Sequence, residues 1–237
     1  MRTPGTSGPT RMSRTTLPEA FGPGVGYYPV YLDLAGKSCL VLGGGAQATE
    51  KARGLAAAGG DVTVVAPAFE AQLVQLGGRR EVRLLAHEFT ESDLDGVELV
   101  IDASLDEALG RRVSEAARRR RVLVNVLDHP ALCDFIAPAL VQRGTLQLAI
   151  STGGRSPFMA GHVRRVLEET IGPEWGELVE MVGEVRDRLR HEGVPLLRQN
   201  EIYARVPGSG ALELLRRGLR DEARQALESC VSTPTSA

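Results

Sequence analysis

A chain of 237 residues with 43% hydrophobic and 24% charged residues has an ordinary globular composition, which excludes collagen-like, disordered and membrane-embedded classes for most of its length. Its formal net charge of −2 argues against a nucleic-acid-binding surface, and no apolar run approaches the roughly 18 residues of a membrane-spanning helix. The 28 basic residues comprise 26 Arg and only two Lys, Lys37 and Lys51; Arg, unlike Lys, grips a carboxylate with a two-pronged fork.

Residues 1–26 are rich in Pro, Gly, Ser and Thr, lack the apolar core of a secretory signal, and read as a mobile tail, as do residues 231–237. Ser38 to Leu42 is a short apolar run closed by Gly43-Gly44-Gly45. The segment that follows, from Ala46 to the stop at Gly59-Gly60, is helical in pattern, so the order is strand, glycine turn, helix. Val62 to Ala66 is a β-branched run suited to a parallel strand covered on both faces, ended by Pro67. Further strands are predicted at Val82 to Ala86, Val97 to Ala103 and Val122 to Val126, with a helix at Glu107 to Arg120. That alternation predicts an α/β fold, a Rossmann-like parallel sheet domain over residues 27–138.

Beyond Phe135 the pattern changes. Ala139 to Arg143 and Leu146 to Ser151 are two extended segments joined tightly at Gly144, without the helix a parallel pair needs. Helices are predicted at Pro157 to Glu169, Trp175 to His191 and Ser209 to Cys230. These divide the remainder into a segment over 139–172 and a small helical domain over 173–230.

Gly43-x-Gly45-x-x-Ala48 fits the dinucleotide fingerprint, with Ala in its third small position. Its glycines permit the tight turn and the approach of a pyrophosphate to the backbone, while Ala46 and Gln47 open the helix whose amino-terminus faces the phosphates. An ordinary glycine turn is the alternative. The second strand ends Val65-Ala66-Pro67, with no acidic residue for the ribose hydroxyls, which leaves the backbone at Pro67 and Ala68 to hold the adenosine. Asp128 follows the strand ending at Val126, at the sheet edge where ligands of open α/β folds bind; it is either a proton acceptor or a turn residue. His129 reads as a surface residue. In Ser151-Thr152-Gly153-Gly154-Arg155-Ser156-Pro157, Ser156 suits a helix cap, the glycines admit a ligand closely, and Arg155 suits an anion or solvent. Arg118 to Arg121 read as a solvated helix end. The cysteines Cys39, Cys133 and Cys230 form no C-x-x-C, so no disulfide framework or resident metal site is indicated and a reducing cytoplasm is expected.

These residues, taken in order, resemble the siroheme synthase family. The resemblance runs from Pro29-Val30-Tyr31-Leu32-Asp33-Leu34 through Val41 to Gly45, Lys51-Ala52, Val62 to Pro67, Asn125 to Asp128 and Phe135 to Ala139, and ends at Ile150 to Pro157. It implies NAD-dependent oxidation of precorrin-2 to sirohydrochlorin, with Asp128 as the acid/base residue, and in bifunctional members iron insertion at the same site. Ferrous iron is then a substrate, and the macrocycle nitrogens are its final ligands. The resemblance also implies a homodimer formed through the 139–172 segment, dinucleotide contacts from Gly43, Gly45, Ala46, Gln47, Pro67, Ala68 and Ser104, and a tetrapyrrole bearing many carboxylates. Arg143, Arg155, Thr152 and Gly153 are its expected anchors, with Arg164 a further candidate. The form expected is the one without a methyltransferase domain, with no nucleic-acid or membrane partner. Two positions depart from the family pattern: Gly110, where Asn is usual, and Ser104, where Thr is usual. A non-catalytic, NAD-sensing regulatory subunit is the alternative these departures raise; a hydroxy-acid or short-chain dehydrogenase lacks its catalytic pairing here.

Overall fold

The computed structural model describes residues 26–232, so the two tails expected from the sequence fall largely outside the described residues. The chain divides into two units, Met1–Asp33 and Leu34–Ala237. Residues 26–33 of the first carry no helix or strand; all that follows concerns the second.

Five parallel strands form its sheet: β1 (Ser38–Leu42), β2 (Asp61–Val65), β3 (Arg83–Leu85), β4 (Leu99–Asp102) and β5 (Leu123–Val126). Their spatial order is β3-β2-β1-β4-β5. The chain therefore winds outward from β1 through α1 (Ala46–Ala57), β2 and α2 (Ala71–Gly78) to β3. It then crosses to the other side of β1 and continues through β4 and α3 (Glu107–Arg120) to β5. The crossover point lies between β1 and β4, which pair in register from Cys39 opposite Leu99 to Leu42 opposite Asp102.

Alternation along β1 explains the unbroken apolar runs. Cys39 and Val41 pack with Ala48, Ala52 and Leu55 of α1 and Leu73 and Leu76 of α2. Leu40 and Leu42 point to the opposite face and pack with Val113, Ala116 and Ala117 of α3. Both faces are buried, as helices on each side of a parallel sheet require. Helix α3 begins at the cap Asp106, whose carboxylate accepts from the N–H groups of Ala108 and Leu109. At its far end Arg119 and Arg120 pair with Glu91 and Arg118 pairs with Asp134, so the basic run is partnered rather than merely solvated.

Strands β6 (Ala139–Arg143) and β7 (Leu146–Ile150) form an antiparallel hairpin turning at Gly144, as the missing crossover helix indicates. Helices α4 (Pro157–Thr170) and α5 (Pro173–His191) pack on it. The chain ends in α6 (Leu196–Arg205), α7 (Ala211–Arg216) and α8 (Arg220–Ser232). Here the structure corrects three expectations. Ser209 to Cys230 is two helices, because Gly218 takes φ +74° and breaks the rise between them. Helix α6 falls between two predicted helices, where none is expected because Pro195 and Pro207 dominate the pattern although Leu196, Gln199, Ile202 and Tyr203 recur at helical spacing. Val231 and Ser232 complete α8 rather than beginning a tail. Helix α2 was hidden too, because Gly77 and Gly78 dilute its short apolar face.

No helix among the described residues is long and apolar enough to cross a membrane. Leu227, 2% exposed on α8, packs in a core with Leu178, Met181 and Leu215 of α5 and α7. Leu227→Ala is expected to cost about 2–5 kcal/mol, read by denaturant unfolding; a loss near zero would show that this helical core does not stabilise the fold.

Candidate active site

Three strand ends converge at the crossover. Gly43 follows β1 with φ +116°, and a Cβ there would lie 2.7 Å from the carbonyl oxygen of Ala103, which follows β4. A Cβ on Gly44 would overlap the carbonyl of Ala68, which follows β2. Neither position tolerates a side chain, so the loop lies flat against its neighbours. Gly45 then caps α1 without a side-chain hydrogen bond, and the first turn of α1 holds no acidic residue. Ala46 and Gln47 are exposed at that turn, leaving its backbone donors open. A close-packed glycine loop thus leads into an open helix amino-terminus, the geometry that a phosphate cradle needs. Pro67 and Ala68 form its exposed rim, and the partly buried Ser104 flanks it from the β4 side.

Asp128 stands two residues beyond β5, exposed, with φ +64°. That left-handed conformation is disfavoured for any side chain, least so for Asp and Asn. The surrounding chain imposes it. The Leu127 N–H donates to the Asp102 carbonyl at 3.0 Å and that of His129 to the Val126 carbonyl at 3.2 Å. The returning segment is fastened by Ser114 Oγ to the Leu132 carbonyl at 2.8 Å, Asn125 Nδ2 to the Phe135 carbonyl at 2.9 Å, and the Asp134 N–H to the Val124 carbonyl at 2.7 Å. Cys133 lies inside this turn. Burial pushes its thiol up, so it stays protonated and donates toward the carbonyls of Val126 and His129 while its sulfur accepts from the Val126 N–H. Cys133 is therefore a brace rather than a nucleophile.

The glycine loop after β7 meets this turn: a Cβ on Gly154 would lie 4.0 Å from Cγ of Pro130. Thr152 Oγ1 accepts from the Ser156 N–H at 3.0 Å and donates to the Ser156 carbonyl at 3.1 Å, closing the loop on itself. Ser156 caps α4 by accepting from the Met159 N–H. Gly153 faces open space.

The arginines separate by what they touch. Arg143 donates to the carbonyls of Ile171 (2.8 Å), Gln142 (2.9 Å) and Glu168 (3.1 Å), which makes it a cap on the end of α4. Arg164 pairs with Glu168 at 2.7 Å. Arg155 is exposed, and no hydrogen bond or ion pair engages its guanidinium among the described residues.

Sequence reasoning missed two acidic residues. Asp102, 1% exposed at the end of β4, accepts from the Ser104 N–H at 3.0 Å. Burial pushes its carboxyl above the usual carboxylate range, against the opposing pull of the Ser104 donors. Only a strongly apolar strand ending in Asp hinted at it. A Cβ on Gly110 would lie 2.7 Å from Val126 Cγ1 and 3.1 Å from Asp102 Oδ2. Val126, and behind it the Asp102 carboxylate, thus crowd the space that a side chain at 110 would need. Glu70 caps α2, with its carboxylate beside the glycine loop. It was overlooked because it lies five residues past the end of β2.

The fold and the glycine cradle define a dinucleotide-binding α/β protein. Residues 30–139 match the sequence model of an NAD(P)-binding family, and residues 143–170 match that of the sirohaem biosynthesis protein central segment. The siroheme synthase of Methylococcus capsulatus is 38% identical over 202 residues, 85% of this chain and 42% of the relative; that of Pseudomonas fluorescens is 43% identical over 164 residues, 69% of this chain and 35% of the relative. A solved structure described as SirC, precorrin-2 dehydrogenase, superposes with a TM-score of 0.66 at 26% identity, covering 87% of this chain and all of that one. Over most of its own length the chain is similar to siroheme synthases. It spans less than half the length of these synthases.

The raised carboxyl of Asp102 has a consequence for stability. A group whose folded-state pKa lies above its unfolded value of about 3.9 favours folding fully at acid pH, and that contribution is lost as pH rises through the folded value. Asp102→Asn, measured by thermal unfolding, is expected to gain stability relative to the parent between pH 4 and pH 8, the two converging at the acid end. A difference that does not change with pH would contradict a buried, titrating carboxyl.

Proposed function

We propose that the chain is a precorrin-2 dehydrogenase, oxidising precorrin-2 to sirohydrochlorin with NAD in the cytoplasm. The observation that carries this reading is the pinned turn that holds Asp128 in a left-handed conformation at the carboxyl edge of the sheet, beside the glycine loop that bears Arg155. Strain of this kind persists where the surroundings over-determine it and collects at functional sites. The relatives add the class of substrate.

Gly43, Gly44 and Gly45 with the open donors of Ala46 and Gln47 would hold the pyrophosphate, while Pro67, Ala68 and Ser104 would border the remainder of the dinucleotide. When bound, NAD supplies the acceptor for a hydride from the macrocycle. Asp128, a carboxylate with both oxygens available at the cleft edge, takes the proton that leaves the ring system. Arg155 offers its fork to a carboxylate of the substrate, and the open space at Gly153 lets that group reach the backbone. Arg143 acts at one remove, holding the end of α4 and with it the helix that the loop enters. In a ferrochelatase step ferrous iron would be substrate; among the described residues no group of three or more His, Cys, Asp or Glu converges to hold an ion.

A homodimer is part of the proposal. Leu140 on β6 and Phe158, Met159, Val163 and Val166 on α4 are all more than a third exposed, Phe158 at 75%. Met159, Val163 and Val166 follow the spacing of one helix face. Such a patch of large apolar side chains marks an interaction surface.

NADH formation with precorrin-2 as substrate tests the chemistry. Turnover is expected for the parent, and a fall of about 10²–10⁴-fold for Asp128→Asn, which keeps the side-chain shape and tolerates the left-handed backbone; full turnover in the variant removes Asp128 from the reaction. Sedimentation of the double variant Phe158→Glu, Val166→Glu should give a monomer where the parent gives a dimer. A dimer in both would place the interface elsewhere.

A further inference from the structure

We propose that Glu70 is the residue that selects NAD against NADP. The assignment rests on the reading of the glycine loop as a dinucleotide site and adds to it the recognition of the ribose.

Val65, which ends β2, and Ala66 after it are apolar, and Asp61 stands at the opposite end of that strand. The strand itself therefore offers no carboxylate to the ribose. The chain beyond it turns back. The Ala68 carbonyl fills the space left by the absent side chain of Gly44, and the Glu70 N–H donates to the Gly44 carbonyl at 2.8 Å. Both contacts hold the backbone of Glu70 against the middle of the glycine loop. Its side chain returns over the same loop, with Oε1 3.4 Å from where a Cβ on Gly45 would stand.

Glu70 has no competing task there. It occupies the cap position of α2, yet its side chain makes no cap hydrogen bond, and no cation pairs with its carboxylate among the described residues. An unpaired carboxylate beside a loop built to attract phosphates is electrostatically adverse for the pyrophosphate alone. It becomes favourable when it accepts from hydroxyl groups. A carboxylate has acceptor sites only, so it suits the two ribose hydroxyls of NAD and repels the extra phosphate that replaces one of those hydroxyls in NADP. The adenosine ribose of a doubly wound sheet lies beyond the end of the second strand, the region Glu70 overhangs. Its position five residues past that strand makes it a displaced counterpart of the acidic residue that usually stands at the strand's end.

The measurement is the dissociation constant of the whole protein for NAD and for NADP, by titration calorimetry, in the parent, Glu70→Gln and Glu70→Arg. The parent should prefer NAD. Glu70→Gln should shrink that preference by roughly 10- to 100-fold, the worth of a hydrogen bond to a charged group, and Glu70→Arg should turn it toward NADP. A preference unchanged in both variants, or a parent that favours NADP, overturns the role of Glu70 and leaves the dinucleotide site standing. A parent that binds neither cofactor instead overturns the dinucleotide reading itself. Melting curves without cofactor should coincide for all three proteins, because the side chain is exposed and unpaired; a fall in both variants with an unchanged preference would assign Glu70 to the stability of α2 and overturn the proposal.

Discussion

Two missing side chains hold the site together. At Gly43 the carbonyl of Ala103 comes in from β4, and at Gly44 the carbonyl of Ala68 comes in from β2, so three strand ends close on one loop with no room for a Cβ. The close approach fixes where the amino-terminus of α1 points, and it places Ser104 on one side of the cradle and Glu70 on the other. It does so at the crossover of the sheet, rather than at either end of it. Only there do the loops of outward-winding halves separate enough to admit a ligand.

A second constraint works around Asp128. Ser114, Asn125, Cys133 and the Asp134 backbone each fasten the same short turn, and the strain at Asp128 persists because those contacts are made together. The ion pair from Arg118 to Asp134 extends the clamp to the surface. One face of the turn then approaches the glycine loop after β7, at Gly154.

Much of this was legible in the sequence, for identifiable reasons. The strands are apolar on both faces, so their runs stood out, and Ser156 and the glycine after α1 marked helix ends by ordinary capping chemistry. The cradle was legible because glycine spacing reports a steric need directly. Asp102 and Glu70 were not, since a carboxylate acquires its meaning from burial or from a chain reversal that periodicity does not record. Arg143 and Arg155 looked alike as residues, and only the carbonyls around Arg143 separate a helix cap from a free guanidinium. The excess of arginine is largely structural: Arg188 with Glu228, Arg224 with Glu184 and Arg216 with Glu174 lace the helical region at its surface.

The central claim is that one dinucleotide lies across the β1–β4 crossover with its reactive end toward Asp128. A crystal structure of the protein with NAD bound tests it most directly. The account predicts the pyrophosphate over Gly43 to Gly45 at the start of α1 and the nicotinamide in the space between the Ser104 turn and Asp128. A cofactor bound elsewhere, or a nicotinamide directed away from Asp128, would contradict it.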